Sequence, residues 1–153
     1  MSVSKGLAAA LLLGGSAMAM AANDGQMRVN QLLHADPQYR ETWQQVVEKE
    51  ERLPEWVMNL TGDAEQMNAV EEDGDQYLVG PLCEAQSGCS SKRLFVAVSY
   101  DKDDAYAMLV EVPAGLPADK SPTRHATYRF LGNPDEGMKE LLMEQLKKDP
   151  KWY

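Results

Sequence analysis

The 153-residue chain has only two cysteines, Cys83 and Cys89, and two histidines, His34 and His125. So small a supply excludes a disulfide-dense miniprotein and leaves few soft ligands for a structural metal. Low-complexity tracts are absent, and 44% hydrophobic with 25% charged residues is close to the globular average. Disordered and collagenous chains are thereby excluded, and the length fits one domain. Positive charge is scarce, with 15 Lys+Arg against 24 Asp+Glu, a net charge of −9 and a pI near 4.7. That balance argues against nucleic acid or anionic lipid held by net charge and favours a basic partner.

Familiar catalytic signatures are also missing. There is no strand–turn–helix G-x-S-x-G, no phosphate-binding glycine loop and no paired-histidine helix. His34 reads as a solvated residue beside a helix start. Asp73 and Asp75, and Asp101, Asp103 and Asp104, lack the ordered oxygen ligands and distal Glu of a calcium loop, so they read as solvated turns. The methionines outside the N-terminal stretch fall at core-facing positions. No catalytic, cofactor or metal residue is assigned, and the expectation is a protein that is not an enzyme.

What is present begins with a leader. Lys5 precedes an apolar run from Leu7 to Gly15, and Ala17-Met18-Ala19 and Ala19-Met20-Ala21 are small-x-small cleavage sites. The run is shorter than the roughly eighteen residues that span a bilayer. The pattern predicts a signal peptide over 1–22 and a domain over 23–153 that is periplasmic, carries a charge of about −10 and leaves the membrane after cleavage. In an oxidising compartment, two cysteines five residues apart are expected to pair. Zinc would need His34 and His125, both distant in sequence. Closing so short a ring removes only about 2 to 2.5 kcal/mol of unfolded-state freedom, so its main use is to stiffen the loop.

The elements read as helix, strands, helix. Asp36-Pro37 is an N-cap followed by proline, and Tyr39, Trp43, Val46 and Val47 share one face, which predicts a helix from Pro37 to Glu51. Pro54 ends it, with Trp56 and Val57 anchoring the turn. Met67–Glu71 and Gln76–Leu82 flank Asp73-Gly74 as a hairpin. Arg93–Tyr100 and Tyr106–Val112 are expected to pair, and His125–Leu131 supplies a further strand with Tyr128 and Phe130 on one face. Asn133, Pro134 and Glu136 mark the start of a last helix whose buried stripe is Met138, Leu141, Leu142 and Leu146. The class is α+β, an antiparallel sheet of about five strands flanked by helices, with a disulfide-closed protruding loop.

That loop is the sharpest functional candidate. Cys83 and Cys89 enclose Glu84, Ala85, Gln86, Ser87 and Gly88 between two apolar strands. A disulfide holds such ends about 5.5 to 6 Å apart, so the intervening residues bulge outward as a rigid tongue. A preordered tongue loses little entropy on entering a cleft, which is the logic of many protein inhibitors. A stapled connection with no partner is the alternative.

The leader, Leu53-Pro54-Glu55-Trp56-Val57-Met58 and the loop followed by Ser90-Ser91-Lys92-Arg93-Leu94-Phe95-Val96-Ala97-Val98 together resemble the periplasmic inhibitor of vertebrate lysozyme (Ivy) family. The resemblance covers most of the chain after the leader and concentrates between Leu53 and Tyr100. It implies an antiparallel sheet flanked by helices, with the loop plugging a lysozyme cleft. The family loop reads Cys-Lys-Pro-His-Asp-Cys, and its histidine hydrogen-bonds the enzyme's catalytic carboxylates. This chain has five residues between its cysteines and no histidine, so only the cysteines carry over. The partner implied is a c-type lysozyme or another peptidoglycan-cleaving enzyme, and a homodimer is also open. The alternative is an Ivy-fold periplasmic binding or envelope-stress protein with little or no inhibition.

Overall fold

The computed structural model describes residues 27–86, 89, 91–117 and 120–148. The expected leader over 1–22 lies outside the described residues. A single 3-10 turn, Val29–Gln31, leads into the short helix α1, Leu32–Ala35, and then α2, Pro37–Val47. Asp36 caps α2 as expected, its carboxylate accepting from Gln38 N at 2.8 Å, with proline in the first turn. The helix stops at Val47, four residues before the predicted Glu51, because no apolar residue follows on its stripe until Leu53, itself held out of helix by Pro54. The turn at Glu55–Met58 forms α3, and Trp43 Nε1 ties α2 to it by donating to Val57 O at 3.2 Å and Met58 O at 3.1 Å.

The sheet is antiparallel throughout and has six strands. They are β1, Asp63–Ala64; β2, Asn68–Glu72; β3, Asp75–Cys83; β4, Lys92–Ser99; β5, Ala105–Glu111; and β6, Thr127–Leu131. Both β1 and β2 pair with the same edge of the sheet formed by β3, after which the order is β3-β4-β5-β6. The five-strand expectation therefore describes the sheet's width and misses the two-residue β1. The β2–β3 hairpin closes on Asp73 and Gly74, whose φ angles of 53° and 84° suit the left-handed turn that matches strand twist.

Two cores result from strand alternation. Leu94, Val96 and Val98 face the cluster that includes Leu32, Trp43, Trp56 and Val57, whereas Phe95 and Ala97 face the cluster formed with the last helix. Burial on both faces makes β4 a continuous apolar run, as its sequence shows.

That last helix, α5, spans Glu136–Lys147 and buries the four predicted residues Met138, Leu141, Leu142 and Leu146. Each such side chain contributes about 1.5 to 3 kcal/mol by leaving water. Its cap is a correction. Asp135, not Asn133, accepts from Met138 N at 2.9 Å, and Asn133 takes a left-handed φ of 53° in the turn before it. Both residue types cap helices and tolerate that turn, so the sequence leaves the choice to the reversal after β6. A second correction is His125, which ends the short helix α4, Pro122–His125, instead of starting β6.

Candidate functional site

The β3–β4 register brings Cys83 opposite Arg93 and ends the ladder there. The cysteines are bonded, with Cα atoms 4.9 Å apart, somewhat closer than expected and within the usual span. Beyond the ladder, Glu84 is half-buried, while Ala85 and Gln86 are exposed in a turn. Ser87 and Gly88 lie outside the described residues. Cys89 returns the chain with a left-handed φ of 67°. The brace is backed by close backbone approach from the residue before β1: a Cβ on Gly62, whose φ is 141°, would strike the carbonyl oxygen of Cys83. Only glycine fits there without displacement. Asn30 Nδ2 fixes the same residue by donating to Gly62 O at 3.0 Å.

A cleft of about 540 Å³ opens beside the disulfide. Its lining joins Cys83, Cys89 and Phe95 to the charged residues Asp63, Glu65, Arg93 and Lys148. Sequence reasoning missed this cleft because its walls come from β1, β3, β4 and the end of α5, which are far apart in the chain. Arg93 reaches it because strand pairing places it opposite Cys83.

Charge divides along the strands. At the end of the sheet away from the loop, the turns carry Asp73, Asp75, Asp101, Asp103, Asp104 and Asp135 with one cation, Lys102. Burial first, then neighbouring Tyr106 and the carboxylates of Asp75, Asp104 and Asp135, pushes the Tyr77 phenol up to about 12. At the loop end, Lys92, Arg93, Lys120, Arg124 and Lys148 accompany Asp63, Glu65, Glu84 and Glu111. The negative charge that favours a basic partner is therefore concentrated away from the tongue.

Among the described residues, no group of three or more His, Cys, Asp and Glu side chains could hold a metal ion, and no helix is long and apolar enough to cross a membrane. His34 is exposed at the end of α1, and His125 is exposed at the end of α4. The acidic turn residues have other uses. Asp101 accepts from Ser99 Oγ at 2.6 Å and from Asp103 N at 3.0 Å, and these bonds hold its carboxyl below the ordinary range.

Residues 38–148 match the family described as inhibitor of vertebrate lysozyme (Ivy). A Pseudomonas aeruginosa protein named Inhibitor of vertebrate lysozyme is 35% identical over 152 residues, which cover 98% of this chain and 97% of that one. An uncharacterized protein of the same organism is 51% identical over 156 residues, with both chains covered in full. An uncharacterized Yersinia pestis protein is 34% identical over 116 residues, covering 76% of this chain and 75% of its own.

Proposed function

Because the chain belongs to the inhibitor of vertebrate lysozyme (Ivy) family, we propose that it is a periplasmic protein inhibitor of a c-type lysozyme or another peptidoglycan-cleaving enzyme. It acts by obstruction and performs no catalysis of its own. The observation that carries this reading is the covalent brace at the end of the sheet, with Ala85 and Gln86 exposed beyond it. A tongue fixed at its base enters a cleft without first having to be ordered.

The cleft of a glycosidase presents two carboxyl groups, at least one of them ionised, and so rewards hydrogen-bond donors. Gln86 offers an amide and Ser87 a hydroxyl, whereas an ionised Glu84 would be repelled. These neutral donors replace the family's histidine, whose protonated form would add charge assistance. The expected block is therefore weaker, or directed at a cleft with a different charge.

The missing histidine favours a second reading, in which the chain is an Ivy-fold binding or envelope-stress protein that no longer inhibits. Purified c-type, g-type and bacterial muramidases, each scored for both retention on the immobilised protein and loss of activity, separate the two. Inhibition of at least one enzyme supports the first reading. Retention without inhibition, or neither, supports the second.

A further inference from the structure

We propose that the pocket at the turn end of the sheet, between the start of β3 and the β4–β5 turn, binds a free primary alkylamine in its ammonium form, with the charge among carboxylates and the alkyl stem against tyrosine rings. The pocket does not use the tongue, and the inference stands apart from lysozyme inhibition.

The pocket has a volume of about 300 Å³, at the small end of the range for small-molecule sites. Its wall carries Asp75, Asp101 and Asp104 together with Tyr77 and Tyr100, and among the described residues no lysine or arginine lines it. The described chain is continuous through both segments of the wall, 74–77 and 99–104. The turn's own cation is committed elsewhere: Lys102 Nζ bonds Asp36 Oδ2 at 2.8 Å and lies 5.4 Å from the centre of the Tyr39 ring.

Acidic turns are ordinary on a protein surface, and Tyr77 is what marks this one. It is 7% exposed, yet among the described residues its hydroxyl makes no hydrogen bond. Its ring packs against Tyr106, with centroids 6.3 Å apart. A phenol buried to this degree ordinarily has a polar partner. Burial is the main cause that raises the Tyr77 phenol, and Tyr106, Asp75 and Asp104 add to it, which sets the hydroxyl within electrostatic reach of the pocket's carboxylates. An ammonium placed there donates to the phenol oxygen and to a carboxylate at once. Asp104 shows the same unmet charge, since burial first and then Asp101, Asp103 and Asp75 favour its neutral form.

The chemistry of the wall selects an organic cation over a metal ion. Asp101 already accepts from Ser99 Oγ and Asp103 N, which leaves fewer oxygen lone pairs than a hard cation needs. Tyrosine rings give a metal ion little, whereas an alkyl stem packs on them and an ammonium is attracted to their faces.

The test is a nuclear magnetic resonance titration of the oxidised protein with n-butylammonium chloride at constant ionic strength. Saturable shifts are expected at the amides of Gly74, Gln76, Ser99 and Asp104, with binding weakened about fivefold by Asp104→Asn and about threefold by Tyr77→Phe. Asp104 is exposed, so its variant decides the matter even if Tyr77→Phe repacks the core. Shifts that are absent or never saturate overturn the proposal, as does unchanged affinity in Asp104→Asn. Equal binding of n-butanol overturns the role of charge, and the same shifts produced by calcium chloride at lower concentration make this a metal site and overturn the proposal. Binding of Nα-acetyl-lysine amide about tenfold tighter than butylammonium makes a protein lysine the source and overturns the free amine.

Discussion

The two ends of the sheet are closed by different means. At the turn end the closure is polar and reaches across to α2: Thr42 Oγ1 donates to Lys102 O at 2.6 Å, and Gln38 Nε2 donates to Asp103 Oδ1 at 2.7 Å. Ser99 Oγ donates to Asp101 and accepts from Asp104 N at 3.0 Å. At the loop end, the β3–β4 connection is closed by one covalent bond, and Ala85 and Gln86 remain exposed. Polar stitching occupies the side chains that perform it, whereas the disulfide uses two sulfurs, and Ala85 and Gln86 between them are exposed to a partner. Charge follows the same division. A net charge of −9 attracts a cationic protein at long range, but the carboxylates of the turns draw it toward the end that is already engaged with α2. If docking is through the tongue, as proposed, shape and local donors govern it more than net charge.

Removing the brace is the most severe way to break this comparison. The Cys83→Ser, Cys89→Ser double variant is expected to lose about 2 to 2.5 kcal/mol of stability and, with the tongue no longer preordered, its inhibition of any target enzyme. Urea unfolding together with an inhibition assay reads both. Undiminished inhibition by the open loop would place the contact surface elsewhere.

Grafting sharpens the same end. Replacing residues 84–88 by Lys-Pro-His-Asp removes the carboxylate of Glu84, adds an imidazole donor and shortens the ring while Cys83 and Cys89 still brace it. A charge-assisted hydrogen bond is worth about 1.5 to 3 kcal/mol, so inhibition of a c-type lysozyme is expected to rise about tenfold or more. If the graft folds with its disulfide formed and the inhibition constant does not fall, the missing determinant lies outside the loop.

A cut at the turn end has the opposite profile. Ser99 is 5% exposed, and its hydroxyl bridges Asp101 and Asp104. Ser99→Ala is expected to cost about 1 kcal/mol in chemical denaturation with no change in binding to a target enzyme. A change in target affinity as large as the change in stability would show that the two ends are coupled.

Legibility differed between the ends for a physical reason. Asp36-Pro37, Asp73-Gly74 and the apolar runs of β4 and β5 are local signals, and each produced the element it announced. The stripe on α5 was equally readable from spacing. Four features depended on distant chain and were not readable. The two residues of β1 have no periodicity to show; Asn133 and Asp135 compete for one cap; His125 belongs to a single helical turn; and the cleft beside the disulfide needs β1, β3, β4 and α5 together. The disulfide was legible because two nearby cysteines had only each other in sequence reach. What the tongue contacts is not written in its spacing, since a stapled connection and an inhibitory loop use the same bond.

The smallest expected effect tests the cost of crowding carboxylates at the turn end. Burial raises the Asp104 carboxyl above its ordinary 3.8, and Asp101, Asp103 and Asp75 add to the shift, so its ionised form is less favourable in the fold than in the unfolded chain. The penalty therefore sets in as pH rises past 3.8 and is complete above the raised folded value. Asp101 runs the other way: the Ser99 hydroxyl, then Asp103 N, lowers its value, so its stabilising contribution is present at neutral pH and is lost as pH falls through the lowered folded value. Asp104→Asn should accordingly gain a few tenths of a kcal/mol at neutral pH, the scale of about 0.5 kcal/mol usual for exposed positions, and lose that advantage in acid. Asp101→Asn should be destabilised at neutral pH and converge on the parent as pH falls. Urea midpoints measured at neutral pH and well below 3.8 check both signs at once. Parallel behaviour of the two variants would mean that the shared turn responds to total charge, and that the bond from the Ser99 hydroxyl to the Asp101 carboxylate carries no separate weight.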